Sequence, residues 1–229
     1  MAHTFSEGSL LNVYKRPSPN HSGKRTHSID RITPHCVVGQ LSVEQLGDIF
    51  SSPSRQASCN YGIGANGEIG MYVDEGNRSW CSSSAANDQR AITIECASDS
   101  KPPYAFKDAV YKSLIELCID ICKRHGKQRL LWLADREKTL AYNPKPDEMV
   151  LTVHRWFAPK ACPGDWMYAH MGDLADKVTA ALSAHTLYRV RRSWDKPETQ
   201  LGAFASLENA RAAARDGYHV YDENGCEVL

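Results

Sequence analysis

Short runs of branched apolar residues alternate along this chain with longer stretches of helical periodicity, and that alternation leaves few architectures open. Segment 31–39, RITPHCVVG, reads as a buried strand that contains His35. Segment 61–73 is two short runs around Asn66 and Gly67, a dipeptide suited to a tight hairpin turn. In AITIEC, 91–96, side chains alternate, so Ile92 and Ile94 face one way and Thr93 and Glu95 face the other, polar way. From Tyr104 to His125, Ala109, Leu114, Leu117, Cys118 and Ile121 recur at helical spacing, with Gly126 as a stop. A second long helix is expected over about 167–183, with Leu174, Val178 and Leu182 inward, and a shorter one over 41–50. Residues 134–149, with Pro144 and Pro146 among charges, read as a loop, and 151–157 as a final strand. The expectation is an α/β fold, a mixed central β-sheet flanked by helices.

After residue 183 the pattern changes. LYRVRRSW at 187–194 alternates like a strand, and Ser206 is placed to cap a helix that runs to Gly217. YHVYDENGCEV then reads as a hairpin through Asn224 and Gly225. The expected division is a domain over 1–183 and a small α+β module over 184–229, short enough to dock or dimerise.

The 27 Lys plus Arg balance 27 Asp plus Glu, so no overall field draws the protein to nucleic acid or an anionic membrane. No apolar run is long enough to span a bilayer, and the opening MAHTFSEGSLLNVYKRP lacks the basic and apolar parts of an export leader. The expectation is synthesis in the cytoplasm without a signal peptide and reduced thiols for the eight cysteines. No Cys-x-x-Cys pair is present, which removes zinc-ribbon and thioredoxin-like readings. Cys118 and Cys122, one helical turn apart, read as small buried hydrophobes.

The chemistry concentrates in VHRWFAPKACPG at 153–164. His154 and Cys162 carry the two side-chain types that zinc prefers, and His35 is a third candidate far away in sequence. Three protein ligands with one open position are a catalytic pattern. Taken singly, His35 and Cys162 are more often buried core residues than ligands, and Glu95 and Lys160 more often solvated charges than catalytic groups.

Together with ITPHCVVG, YGIGANGEIGMYVDE, NRSW and ITIE, this stretch resembles the type 2 N-acetylmuramoyl-L-alanine amidase family. That zinc-dependent family includes phage lysozyme-type amidases and the peptidoglycan recognition proteins. The resemblance spans roughly residues 30–180. It implies the peptidoglycan recognition fold, zinc held by His35, His154 and Cys162, Glu95 as acid/base, and Lys160 as the oxyanion partner. It also implies cleavage of the amide between N-acetylmuramic acid and L-alanine, with Trp80 and Asn60 as substrate contacts; Trp80 and the loop 82–90 are read as lining a groove for glycan or stem peptide, with a lid on the core as the equal alternative for Trp80. The phage branch has a catalytic tyrosine where this chain has Cys59, and Tyr61 is two positions too late to replace it. Cys81 stands where relatives often carry a histidine.

The tail resembles the small wall-binding modules that follow amidase domains in clostridial-type phage endolysins and autolysins, similar to half of a sporulation-related repeat. On that resemblance Arg189, Arg191, Trp194 and Tyr218 are candidate sugar or stem-peptide contacts, with packing or dimerisation as the alternative. The implied site of action is the bacterial cell wall, after release from the cell. Two other readings stay open: a cysteine peptidase using a thiol and a histidine, and a noncatalytic peptidoglycan-binding protein, which needs neither Glu95 nor Lys160.

Overall fold

The computed structural model describes residues 8–183, 187–223 and 225–228. Asn224 of the expected hairpin turn, the first seven residues of the segment read for a leader, and residues 184–186 beside the expected domain boundary lie outside them. The chain divides into two compact units, Met1–Leu182 and Ser183–Leu229.

The strands of the first unit are β1 (Val13–Lys15), β2 (His21–Lys24), β3 (Arg31–Cys36), β4 (Tyr61–Ile63), β5 (Ile69–Met71), β6 (Asn77–Ser79), β7 (Ala91–Cys96), β8 (Arg129–Leu131) and β9 (Glu148–Leu151). Its helices are α1 (Val43–Ser51), α2 (Ala85–Asp88), α3 (Asp108–Arg124), α4 (Arg136–Ala141) and α5 (Asp165–Ser183). Seven strands form one sheet in the order β1-β5-β4-β7-β3-β9-β8, while β2 and β6 pair separately. The β4–β5 pair is antiparallel and every other neighbouring pair in the large sheet is parallel. This is the mixed sheet flanked by helices that the pattern predicted.

The two faces of the sheet differ in chemistry because side chains alternate. Ile32, Ile92 and Ile94 share an apolar core with Val110, Leu114 and Leu117 of α3 and Met171 and Leu174 of α5. Each such side chain contributes roughly 1.5–3 kcal/mol on burial. The opposite face carries Thr33, His35, Thr93 and Glu95, and Leu46 and Phe50 of α1 pack near it with Cys59 and Tyr72. Helix α1 starts at a capping box in which Ser42 and Gln45 satisfy each other's backbone N–H. At the β4–β5 turn, Gly67 adopts φ 92°, and a Cβ there would lie 2.9 Å from the Ala109 carbonyl of α3. Only glycine permits both the backbone angle and that approach.

Several expectations need correction. The stretch 134–149 is not a loop throughout, because Asp135 accepts a hydrogen bond from Lys138 N and caps α4, and β9 begins at Glu148. The final strand lies earlier than 151–157. It ends at Leu151, and His154–Trp156 close into a 3-10 turn through Trp156 N to Val153 O. Ala109 is exposed, and Val110 takes the inward position instead.

The second unit contains β10 (Tyr188–Arg191), β11 (Gly202–Phe204), α6 (Leu207–Ala213) and β12 (His219–Tyr221). The strands form an antiparallel sheet in the order β11-β10-β12. Val190, Ala210 and Val220 make its small core. Ser206 caps α6 as predicted, but the helix stops at Ala213, and Gly217, at φ 77°, serves the turn before β12.

One buried polar cluster braces the first unit. The Glu75 carboxylate accepts from Arg124 at 2.6 and 2.8 Å and from Tyr61 Oη at 2.5 Å, and lies 2.8 Å from His125 Nε2. Burial raises the Glu75 pKa, but the hydrogen bonds from His125, Arg124 and Tyr61 outweigh it and hold the carboxyl at about 2. A depressed pKa contributes stability above the unfolded value near 4.5, lost as pH falls toward about 2. Glu75→Gln is therefore expected to cost about 1–3 kcal/mol at neutral pH, by removing the carboxylate that accepts from Arg124 Nη1 and Nη2 and leaving that guanidinium to Asp120 alone. It should also flatten the loss of stability between about pH 4.5 and 2 relative to the parent, as measured by urea unfolding.

Candidate active site

The site grows from the in-register pairing of β3 and β7. His35 is opposite Glu95 in that register, each is the penultimate residue of its strand, and parallel pairing points both to the same face. His35 Nδ1 lies 3.9 Å from Glu95 Oε1. In open α/β sheets ligands bind beyond the carboxyl ends of the strands, and this pair stands at that end. Beneath it, Thr33, Thr152 and Asn87 bond to one another and Ser79 bonds to Thr93, at 2.7–3.1 Å, so the polar face below the pair is not left unpaired.

His154 and Cys162 arrive from the segment after β9. Arg155 ties the two halves of that segment together, its backbone N–H donating to the Cys162 carbonyl at 3.1 Å and its guanidinium to the Ala161 carbonyl at 2.6 Å. Gly164 turns the chain at φ 84°, against the Pro103 carbonyl, where a Cβ would come within 2.9 Å. Cys162 Sγ is thereby set 3.3 Å from His35 Nδ1. The His35 and His154 rings meet edge to face with centroids 5.0 Å apart. One ligating atom from each of His35, His154 and Cys162 lies within 4.8 Å of the others. The three predicted ligands are thus brought together, from positions up to 127 residues apart.

The electrostatics suit a cation there. Burial, with His154 alongside, pushes the His35 pKa well down, and burial followed by the Lys160 charge lowers His154. Both imidazoles are held neutral, the form that ligates a metal. Burial pushes the Cys162 thiol up, so a thiolate at this position requires a positive partner. His35 Nε2 and Glu95 Oε2 are buried without hydrogen-bond partners. Burial also moves Glu95 up to about 7, opposed by the Cys81 thiol and the Arg55 charge. Glu95, His154 and Lys160 line a cavity of about 520 Å³.

Trp80 forms part of the cavity wall, half-buried, with its Nε1 donating to Ser22 Oγ at 2.6 Å. Asn60 does not belong to the cavity and its expected substrate role is corrected. It is fully buried, its amide donates to the Val73 and Asp74 carbonyls, and its carbonyl accepts from Thr93 N and Arg25. Every polar group of that side chain is used, the amide nitrogen on the loop after β5 and the carbonyl on β7 and Arg25. Tyr61 is likewise buried, bonded to Glu75.

Ser83 belongs to the loop 82–90 read as a groove wall, and it lines the cavity and also meets a histidine. Its hydroxyl lies 2.9 Å from His154 Nε2, and it sits in a left-handed turn with φ 60°. Nothing in a serine-rich loop marks that contact in advance. In the second unit Arg191 and Arg189 lie 4.9 and 5.9 Å from the Trp194 ring. Tyr218 stands with Arg192 and Arg215 instead, so the four expected contacts form two groups.

The sequence profile of the N-acetylmuramoyl-L-alanine amidase family matches residues 25–165. No curated protein matches the chain. Among solved structures, a selenomethionyl AmpD derivative is 19% identical with a TM-score of 0.53, covering 79% of this chain and 99% of its own. The catalytic domain of XlyA is 14% identical with a TM-score of 0.50, over 76% and 100% of the two chains. The N-acetylmuramoyl-L-alanine amidase LysC from Clostridium intestinale URNW is 13% identical with a TM-score of 0.50, over 75% and 97%. At these identities the likeness is one of fold.

A residue that fixes the orientation of a metal-binding histidine typically changes affinity by about 10- to 100-fold. With His154 as a zinc ligand, Ser83→Ala is expected to weaken zinc binding by about that factor, without loss of thermal stability, in competition titration with a chromogenic chelator.

Proposed function

Since the chain belongs to the N-acetylmuramoyl-L-alanine amidase family, we propose that it hydrolyses the amide between N-acetylmuramic acid and L-alanine in bacterial peptidoglycan, with zinc held by His35, His154 and Cys162. The convergence of those three donor atoms at the strand ends carries the reading. Two neutral imidazoles and one sulfur suit zinc, and three ligands leave a position open for chemistry. Bound there, zinc supplies Lewis acidity and lowers the pKa of water from about 15.7 to roughly 7.

Glu95 takes the proton of the attacking water and passes it to the departing nitrogen of L-alanine. Its unpartnered Oε2 is free for that exchange, and its position beside His35 sets the carboxylate at the reacting end of the cavity. Lys160 lies on the cavity wall near His154, where its ammonium stabilises the negative charge that develops on the carbonyl oxygen. Trp80 offers an aromatic wall for the sugar or peptide. Ser83 keeps the His154 ring turned toward His35.

One observation favours a second reading. A thiol 3.3 Å from an imidazole is also the geometry of a Cys–His nucleophile pair. Burial works against it, raising the Cys162 thiol and lowering the His35 base. A chelator separates the two, since a thiol nucleophile needs no metal. We also assign wall binding to the Ser183–Leu229 unit, on the Arg189, Arg191 and Trp194 group, since arginine on an aromatic face suits polar, carboxylate-bearing ligands. The site of action is then the cell wall. Among the described residues no helix is long and apolar enough to cross a membrane.

Incubation with purified peptidoglycan is expected to release free muramoyl lactyl groups and N-terminal L-alanine, seen by mass spectrometry. The products should vanish with chelator and return with zinc. Cleavage that persists in chelator favours the thiol nucleophile, and binding without new ends rejects the enzyme. Glu95→Gln should lower kcat by about 10²–10⁴-fold, the usual worth of a general acid/base. For the second unit, Arg189→Ala is expected to reduce co-sedimentation with cell walls and leave hydrolysis of soluble fragments unchanged.

A further inference from the structure

His35 belongs to two donor sets at once. Its Nδ1 edge is 3.3 Å from Cys162 Sγ on one side and 3.9 Å from Glu95 Oε1 on the other. Cys81 Sγ lies 3.7 Å from the same Glu95 oxygen, and one ligating atom from each of His35, Cys81 and Glu95 falls within 4.8 Å of the others. Cys81 is held firmly. Its backbone N–H donates to Asp88 Oδ2 at 3.1 Å, and the flanking Trp80 N–H and Ser82 N–H donate to Ser58 Oγ and the Asp88 carboxylate. The second set is therefore built by backbone anchoring on both sides of the cysteine and by the strand register that fixes His35 beside Glu95.

We propose that His35, Cys81 and Glu95 form a second position for a thiophilic divalent ion, of the zinc and cadmium class, overlapping the His35–His154–Cys162 position. Imidazole, thiolate and carboxylate are all ordinary ligands of such ions. Ligation releases the Cys81 thiol proton to solvent as the metal–sulfur bond forms. Both sets reach His35 on its Nδ1 side, so one ion occupies one position or the other. An ion at the second position takes up Glu95, which then cannot exchange a proton with water or substrate. The pair of positions is a resting state and a working state for one ion, with Cys81 the residue that distinguishes them. This rests on the reading of His35 as a metal ligand.

Cobalt(II) reports thiolate ligation by its sulfur-to-metal charge-transfer absorption, without recourse to activity. The wild-type protein is expected to bind one cobalt ion with that band. Cys162→Ser should still bind cobalt and keep a thiolate band, supplied by Cys81, and the Cys81→Ser/Cys162→Ser double variant should lose it. A band present in the wild type but absent from a folded Cys162→Ser overturns the second position alone. A band that survives in the double variant also overturns it, since another thiol is then the source. Failure of the wild type to bind cobalt overturns both this position and the zinc reading. His154→Ala gives an independent check that leaves Cys162 in place. Adding Cys81→Ser to it should weaken cobalt binding by on the order of 10-fold or more, and an unchanged affinity rejects the proposal.

Discussion

The parallel, in-register pairing of β3 with β7 is the constraint on which the site depends. It sets His35 against Glu95 at the strand ends, and because side chains alternate, the same pairing sends Ile32, Ile92 and Ile94 into the helix-covered core. A slip of one residue would exchange the two faces, placing isoleucines at the cavity and a histidine and a carboxylate among leucines. Packing and chemistry are thus enforced by one set of backbone hydrogen bonds. The stability of the apolar face keeps the polar face in register.

The polar face is also selective about what it leaves unpaired. Thr33, Thr93, Asn87 and Thr152 are buried and bonded to one another or to neighbours, as low-dielectric surroundings demand. Among the described residues, the buried side-chain atoms without partners are His35 Nε2, Glu95 Oε2, Arg78 Nε and Arg155 Nε. Glu95 and Arg78 line the cavity, His35 is a candidate ligand, and Arg155 follows His154. Unmet hydrogen-bonding capacity is concentrated around the place where a substrate or ion would meet it.

Much of this was legible in the sequence because the relevant elements have a strong period or a short reach. β3, the β4–β5 hairpin, β7, α3 and α5 follow from alternation, an Asn-Gly turn and helical spacing. His154 and Cys162 converge because only a 3-10 turn and a short loop separate them. The three- and four-residue strands β1, β2, β6 and β8 have no period to read and exist by pairing with neighbours distant in sequence. Asn60 shows a different obstacle. An asparagine beside the motif looks like a ligand contact until tertiary structure reveals the carbonyls its amide must satisfy. The contacts of Ser83 with His154 and of Cys81 with Glu95 depend on a loop path that no local pattern encodes.

The contact between His35 and Cys162 spans 127 positions. Translation proceeds from the amino end, so the β3–β7 platform leaves the ribosome well before Cys162 can join it. Every chain interrupted upstream of residue 162 lacks one arm of the centre, whatever else it has folded. Incomplete synthesis yields an incomplete cluster, and the three donor atoms meet only in chains that have been extended through the last of them.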